Sequence, residues 1–294
     1  MSKPEGLPEM EYRFLGRSGL QVSAISLGGW LTYGGHVDRE GTFACMKAAY
    51  DSGVNFFDCA ELYADGESER VMGEAIKKYG WKRNDLVIST KVNNVGLSRK
   101  HIIEGTDAAL ERLRLSYVDL IYAHRPDRRT PIEETGTSEW SPDEIAQAWR
   151  YADKLGLIGP VMEQPRYNML ERNNVENTLA HLYREHGLGL TTFSPLRQGI
   201  LTGKHKNGIP DDSRFAQTKV EFVKGRLGIK LSVLALAWVL ANPNVSSAIT
   251  GATSLAQVYE NIEAVAAYKK LTPEILAEID EILNNKRPVI VQRF

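Results

Sequence analysis

Four side chains of different chemistry stand at the ends of apolar runs. Asp58 closes Asn55-Phe56-Phe57, and Tyr63 follows five residues later through Cys59-Ala60-Glu61-Leu62. Lys91 closes Leu86-Val87-Ile88-Ser89-Thr90, and His124 closes Val118-Asp119-Leu120-Ile121-Tyr122-Ala123. A phenol gives up a proton near neutrality only if its pKa, about 10 when unperturbed, is pulled down. A neighbouring ammonium would do that by stabilising phenolate, and a carboxylate paired with the ammonium would hold it in place. An imidazole beside them could polarise a carbonyl or pass a proton. Such a set suits carbonyl reduction, in which hydride arrives from elsewhere and the protein supplies the proton. Each residue also has a plainer role open to it. Asp58 could cap a turn, Lys91 could be a solvated strand end, Tyr63 could pack, and His124 could be a hydrogen-bonded core residue. Only their joint occurrence at successive strand ends favours chemistry, and periodicity does not show that they meet.

The elements that would position them alternate. Residues 1–10 read as a loose tail. Residues 12–15, followed by Gly16-Arg17-Ser18-Gly19, read as a small hairpin. Residues 22–27 read as the first core strand, ending in Gly28-Gly29-Trp30. Those glycines could bring backbone close to a ligand and Trp30 could wall a pocket; the plainer alternative is a turn and a core tryptophan. Helices are expected over 38–52, 68–79, 98–113, from Ser141-Pro142, and over 175–186, 229–240, 255–268 and 272–283. Between them fall strands at 54–57, 86–90, 118–124, 161–164, 188–193 and 246–250. Strands alternating with helices across short turns predict a parallel α/β sheet, and a barrel of such units keeps its chemistry at the carboxyl ends of its strands. No repeat or domain boundary is visible, so residues 1–294 read as one barrel domain.

Composition narrows the function classes. The 294 residues carry a net charge of -1, which gives no reason to expect nucleic acid or an anionic membrane surface. Cys45 and Cys59 are too few for a disulfide scaffold, and no stretch approaches a membrane span or a signal core. A cytoplasmic protein is the expectation. No G-x-G-x-x-G follows a strand, so a Rossmann site is not indicated. Gly199-Ile200-Leu201-Thr202-Gly203-Lys204-His205 falls one residue short of a phosphate-loop spacing and has no Ser or Thr after the lysine. Neither metal-ligand spacing nor a G-x-S-x-G elbow is present, so no metal is expected.

Several motifs together resemble the aldo-keto reductase superfamily, in particular the branch of voltage-gated potassium channel β subunits and their fungal relatives. They are the run 57–63, Ser89-Thr90-Lys91, the run 96–105 from Gly96-Leu97-Ser98 to Ile103-Glu104-Gly105, and the run 119–126 ending in His124-Arg125-Pro126. The resemblance covers about residues 12–286. It implies a (β/α)8 TIM barrel with an N-terminal β-hairpin, NADP(H) as cofactor, and a catalytic tetrad of Asp58, Tyr63, Lys91 and His124. Tyr63 would be the general acid, its pKa lowered by Lys91 and Asp58, and His124 would orient the carbonyl of a small-molecule substrate. Cofactor positions carry over in the same way. Ser138 and Gln164 match residues on the nicotinamide carboxamide, Phe193 matches the aromatic stacked on the ring, and Trp30 is carried over as a further cofactor-binding position. Ser194, Pro195, Leu196 and Gly199 match the pyrophosphate loop, and Lys204 and Arg214 match basic groups on the phosphate side. Gly251, Ser254, Gln257, Glu260 and Asn261 match the adenosine end; Ser254-Leu255-Ala256-Gln257 also reads as a capping box, whose backbone N–H groups favour anions. Trp30, Tyr33 and Trp140 suggest an aromatic-walled pocket.

The resemblance implies two functions. One is NADPH-dependent reduction of aldehydes or ketones; the alternative is an NADPH-binding, redox-sensing regulatory β subunit of a potassium channel with little turnover. Channel β subunits usually carry Asn where this chain has His124, which makes the chain look more like a working reductase. The branch tends to form tetramers, so a homo-oligomer is a further expectation. The chain also departs from the pattern. The fourth helix and the body of the fifth strand are missing between Glu134 and Gly136, the segments after Asn94 and Val223 look short, and Glu139 stands where relatives often carry Arg. Either the barrel is shortened, or the chain joins pieces separated in a longer parent. The second explanation is favoured because an opened barrel would expose strand edges.

Overall fold

The computed structural model describes residues 3–30, 33–92, 96–127, 137–203 and 225–288. A hairpin comes first, β1 (Tyr12–Phe14) pairing antiparallel with β2 (Gln21–Ser23). The run 22–27, expected as one core strand, divides at Ala24. There the chain changes partners: Ala24 N–H donates to Glu11 O, while Ala24 O accepts from Ala248 N–H. Beyond the break β3 (Ile25–Gly28) enters the main sheet.

That sheet continues with β4 (Phe56–Asp58), β5 (Val87–Val92), β6 (Leu120–Ala123), β7 (Met162–Glu163), β8 (Gly189–Thr192) and β9 (Val245–Thr250). Its order is β6-β5-β4-β3-β9-β8-β7, and every pairing is parallel. The first and last strands of the series, β3 and β9, are neighbours, as barrel closure requires. The sheet is curled, a shortened (β/α)8 barrel with its hairpin. Its helices are α1 (Arg39–Asp51), α2 (Glu67–Tyr79), α3 (Arg99–Leu113), α4 (Pro142–Leu155), α5 (Ala180–His186), α6 (Leu231–Ala241), α7 (Leu255–Ala267) and α8 (Pro273–Leu283).

Several helices begin on side-chain caps. The side chains of Asp38, Ser98, Ser141 and Thr272 each accept a backbone N–H of the first turn, and Ser141 with Glu144 completes a reciprocal capping box. The helix expected over 175–186 is two pieces, a π-turn at Asn174–Thr178 and then α5. Helix α6 is apolar on every side, and all ten residues from Leu231 to Leu240 are buried. Each fully buried Leu or Val contributes roughly 1.5–3 kcal/mol, so this helix anchors the β8–β9 side of the fold. The hairpin closes the end of the sheet where the strands begin. Leu15 and Val22 pack there with Phe56, Val87, Leu120, Met162 and Ile249. Gly16 lets the hairpin turn lie against the backbone between α5 and β8, since a Cβ on it would lie 2.3 Å from Gly187 O.

Among the described residues no strand lies between β6 and β7. The edge of β7 facing that gap is nevertheless satisfied. Thr137 Oγ1 donates to Met162 O at 2.6 Å, Ser138 Oγ donates to Gln164 O at 3.4 Å, and Glu139 Oε1 accepts the Arg166 N–H at 2.9 Å. Three successive side chains stand in for a strand ladder. The exposed-edge objection to a shortened barrel is thereby answered on this side. Residues 93–95, 128–136 and 204–224, where the chain looks short, lie outside the described residues.

Candidate active site

Strand register builds the site. Asp58 pairs with Ser89 across β4 and β5, and Lys91 lies two residues beyond Ser89, on the same face of β5. His124 follows β6 directly and its N–H donates to Val92 O at 3.0 Å. Tyr63 opens a 3-10 turn over the end of β4. The four residues meet. Lys91 Nζ lies 2.5 Å from Asp58 Oδ2 and donates to Cys59 O at 2.6 Å, with its side chain fully buried. The ammonium is 4.9 Å from the centre of the Tyr63 ring, and that ring meets His124 edge-on at 5.7 Å between centroids. Asp58 Oδ1 accepts from Ser89 Oγ at 2.6 Å and from Gln164 Nε2 at 3.2 Å.

The electrostatics differ in part from the sequence expectation. Burial works against the Lys91 charge, but Asp58 and Tyr63 more than offset it and its pKa is raised. Tyr63 also moves up, not down. Burial raises its pKa, the Lys91 charge lowers it less, and the Asp58 carboxylate raises it further. The lowering expected from Lys91 and Asp58 together does not occur, because burial dominates and Asp58 cancels part of the Lys91 field. His124 is pushed down to about 3 by burial and by the charges of Lys91 and Arg125. It is therefore neutral at physiological pH, and its Nδ1 is buried without a hydrogen-bond partner.

The turn carrying Tyr63 is conformationally costly. Ala64 (φ 48°) and Asp65 (φ 53°) are successive left-handed residues before Gly66 (φ 80°). Left-handed geometry costs a non-glycine residue about 1–2 kcal/mol, and such cost concentrates at functional sites. Ala64→Gly should therefore stabilise the fold by about 0.5–1 kcal/mol in denaturant unfolding, glycine's greater unfolded-state freedom taking back part of the gain. An unchanged or lowered midpoint would show that the turn carries no strain.

Apart from Lys204 and Arg214, the residues matched to a cofactor fall into two groups. Trp30, 55% exposed, meets Tyr63 edge-on at 5.2 Å. Ser138 accepts from Arg125 Nη1 at 3.3 Å, and Gln164 is tied to Asp58. Phe193 follows β8 with the Arg166 guanidinium 5.3 Å from its ring centre. Ser194 (φ 57°) leads through Pro195 and Leu196 to Gly199 (φ 93°), a tight loop whose Gly199 N–H donates to Leu196 O at 3.0 Å. The second group follows β9, the neighbour of β8. Asn261 Nδ2 donates to Gly251 O at 3.3 Å, and Ser254 caps α7. The return half of that capping box is displaced by one residue: Gln257 Oε1 accepts from Thr253 N–H at 2.7 Å. Glu260 is engaged by Ser232 and, at 2.7 Å, by Lys230. Lys204 and Arg214 lie outside the described residues.

The aromatic-walled pocket is not formed as expected. Tyr33 and Trp140 are buried in the core, leaving only Trp30 exposed at the rim. Gly28 and Gly29 serve packing within the protein, since a Cβ on Gly29 would lie 2.3 Å from Ser68 Oγ.

The aldo/keto reductase family model matches residues 24–284. The chain belongs to the aldo/keto reductase family. It is 46% identical to a probable voltage-gated potassium channel subunit beta from Arabidopsis thaliana, over 94% of this chain and 98% of that protein. A probable subunit of the same kind from Oryza sativa subsp. japonica is 45% identical over 94% and 98%. A putative one from Schizosaccharomyces pombe is 47% identical over 96% and 95%. The alignment to the Arabidopsis protein runs over 320 residues against 294 in this aldo/keto reductase, so that relative carries internal residues that this chain lacks.

Three residues of the candidate site escaped the sequence reading. Ser89 binds Asp58; its place two residues before Lys91 is a signal that would have found it. Arg125 reaches Ser138 and adds its charge to His124. Glu163, a carboxylate within an apolar strand, is wholly buried.

Proposed function

We propose that this aldo/keto reductase is a single-unit NADP(H)-dependent carbonyl reductase of aldehydes or ketones, with Tyr63 as general acid. The observation that carries the reading is the buried Asp58–Lys91 pair directly beneath the Tyr63 phenol. As the substrate oxygen gains negative charge, Tyr63 gives it the phenolic proton and Lys91 stabilises the phenolate that remains. Asp58 fixes the ammonium. His124 is neutral, so it serves as a hydrogen-bond partner of the carbonyl and does not compete as an acid.

The residues at the rim fit a nicotinamide dinucleotide. They include the orphaned His124 Nδ1, the Ser138 hydroxyl on the Gln164 carbonyl, the Gln164 side chain on Asp58, and the capped N-terminus of the 13-residue α7. When bound, the cofactor supplies the hydride. Ser138 and Gln164 would hold the carboxamide, Phe193 and Trp30 would flank the ring, and Ser194, Pro195, Leu196 and Gly199 would follow the pyrophosphate. Lys204 and Arg214 would take phosphate, with Gly251, Ser254, Gln257, Glu260 and Asn261 at the adenosine.

A second reading draws support from the names of the three relatives. In it the chain is a cytoplasmic, oligomeric, cofactor-binding regulator of a potassium channel with little turnover. No helix among the described residues is long and apolar enough to cross a membrane, so a channel partner would be met by docking.

Fluorescence titration with NADPH, followed in the same cuvette by a panel of aromatic aldehydes, separates the two. Binding with oxidation at 340 nm is the expected result. Binding without oxidation, together with copurification of a channel, would transfer the proposal to the regulator. Absence of NADPH binding would overturn both.

A further inference from the structure

The gap between β6 and β7 is bridged by residues 137–140, and one side chain secures that bridge from behind. Glu163 ends the two-residue β7 with no exposed surface. Its Oε1 accepts the Trp140 N–H at 3.1 Å, while its Oε2 has no hydrogen-bond partner. Thr137, Ser138 and Glu139 cap the edge of β7 and Arg125 reaches Ser138; Glu163 adds a further anchor, on the Trp140 N–H of the same short segment. Ser138 is the residue this segment delivers toward the proposed nicotinamide end. In a complete barrel a strand ladder would hold a residue at that position; here side-chain contacts must.

We infer that Glu163 is a positioning residue for cofactor binding: through the Trp140 N–H it fixes residues 137–140 and so sets Ser138 against Gln164. This inference rests on the proposed cofactor reading. Burying a carboxyl is costly unless it is neutral or fully hydrogen-bonded, and this one has a single firm partner. Burial pushes its pKa up to about 8, against the opposing pull of the Trp140 N–H, Thr137 and the Glu139 N–H, and the Glu139 carboxylate adds to the rise. The groups facing it are Glu139 on the bridging segment, Tyr183 on α5 and Tyr122 on β6. Both tyrosines have pKa values raised above their ordinary range, so neither titrates near pH 8. Beside the two tyrosines, Glu163 is therefore the group that changes charge there. The neutral carboxyl suits the dry pocket; the ionised one faces Glu139 and must draw in water, which loosens the segment.

The test uses the full chain and three proteins: wild type, Glu163→Gln and Glu163→Leu. NADPH dissociation constants are measured from pH 6.5 to 9, and amide exchange at Trp140 is followed without cofactor. Leu removes the acceptor and should weaken NADPH binding about tenfold at every pH, the effect of one lost hydrogen bond. Gln keeps a carbonyl acceptor and no charge. It should restore wild-type affinity at pH 7 and abolish the loss of affinity that wild type shows above pH 8. Trp140 exchange should quicken in Leu and not in Gln. Unchanged affinity in Leu overturns the inference, whether or not exchange quickens. So does a Gln variant that keeps the wild-type pH profile. If wild type does not bind NADPH, the cofactor reading falls. Exchange at Trp140 still decides whether Glu163 holds the segment.

Discussion

Replacing Tyr63 with Phe is expected to lower carbonyl turnover by roughly 10²–10⁴-fold, the usual contribution of a placed general acid. NADPH affinity should change little, because the ring, its edge contact with Trp30 and its seat over Lys91 all remain. The change deletes one oxygen from a residue only 9% exposed, so the fold should persist. The wild-type pH profile adds a second reading of the same site. His124 is held down near 3 and stays neutral throughout pH 5–8, so turnover should show no inflection near 6.5. Tyr63 is raised by burial, so the proton it donates is retained across that whole range. The measurements are steady-state rates with the best aldehyde and NADPH titration of both proteins. Retained turnover in Tyr63→Phe would remove the phenol from its role. An inflection near pH 6.5 would assign His124 a titrating one.

What could be read beforehand follows the range of the interaction involved. Caps are local, and Ser98, Ser141 with Pro142, and Thr272 with Pro273 mark their helices in the sequence as they do in the structure. Strand ends are nearly local, so Asp58, Lys91 and His124 could be picked out by position, and parallel pairing then brings them together. The partition of residues 22–27 between hairpin and sheet depends on Glu11 and Ala248, remote in sequence, and no pattern within the run reveals it. The π-turn before α5 is equally silent, because its residues carry an unbroken helical period. Direction of the Tyr63 shift is a balance of burial against two opposed charges, and burial is a property of the whole fold. The edge contacts of Thr137, Ser138 and Glu139 were invisible for the same reason. Their partners, at 162, 164 and 166, alternate along a strand whose register only the folded sheet defines.

Replacing Lys91 with Met should cost more than any surface change, because it breaks an ion pair whose partners expose 0% and 3% of their side chains. Asp58 would be left buried with Ser89 and Gln164 as hydrogen-bond donors but no counter-charge. Removing one member of a buried pair typically destabilises by about 3–5 kcal/mol. For a chain of this size that corresponds to a fall of roughly 5–8 °C in Tm. Asp58→Asn combined with Lys91→Met removes both charges and should recover much of the lost stability, since Asn keeps an acceptor for Ser89. It should not recover turnover, because no cation remains to stabilise the Tyr63 phenolate. Denaturant unfolding of the two single variants and the double variant forms a cycle that isolates the pair. A Lys91→Met protein as stable as wild type would mean that the pair is solvated rather than buried. A double variant that regains activity with stability would mean that the ammonium serves the fold and not the chemistry.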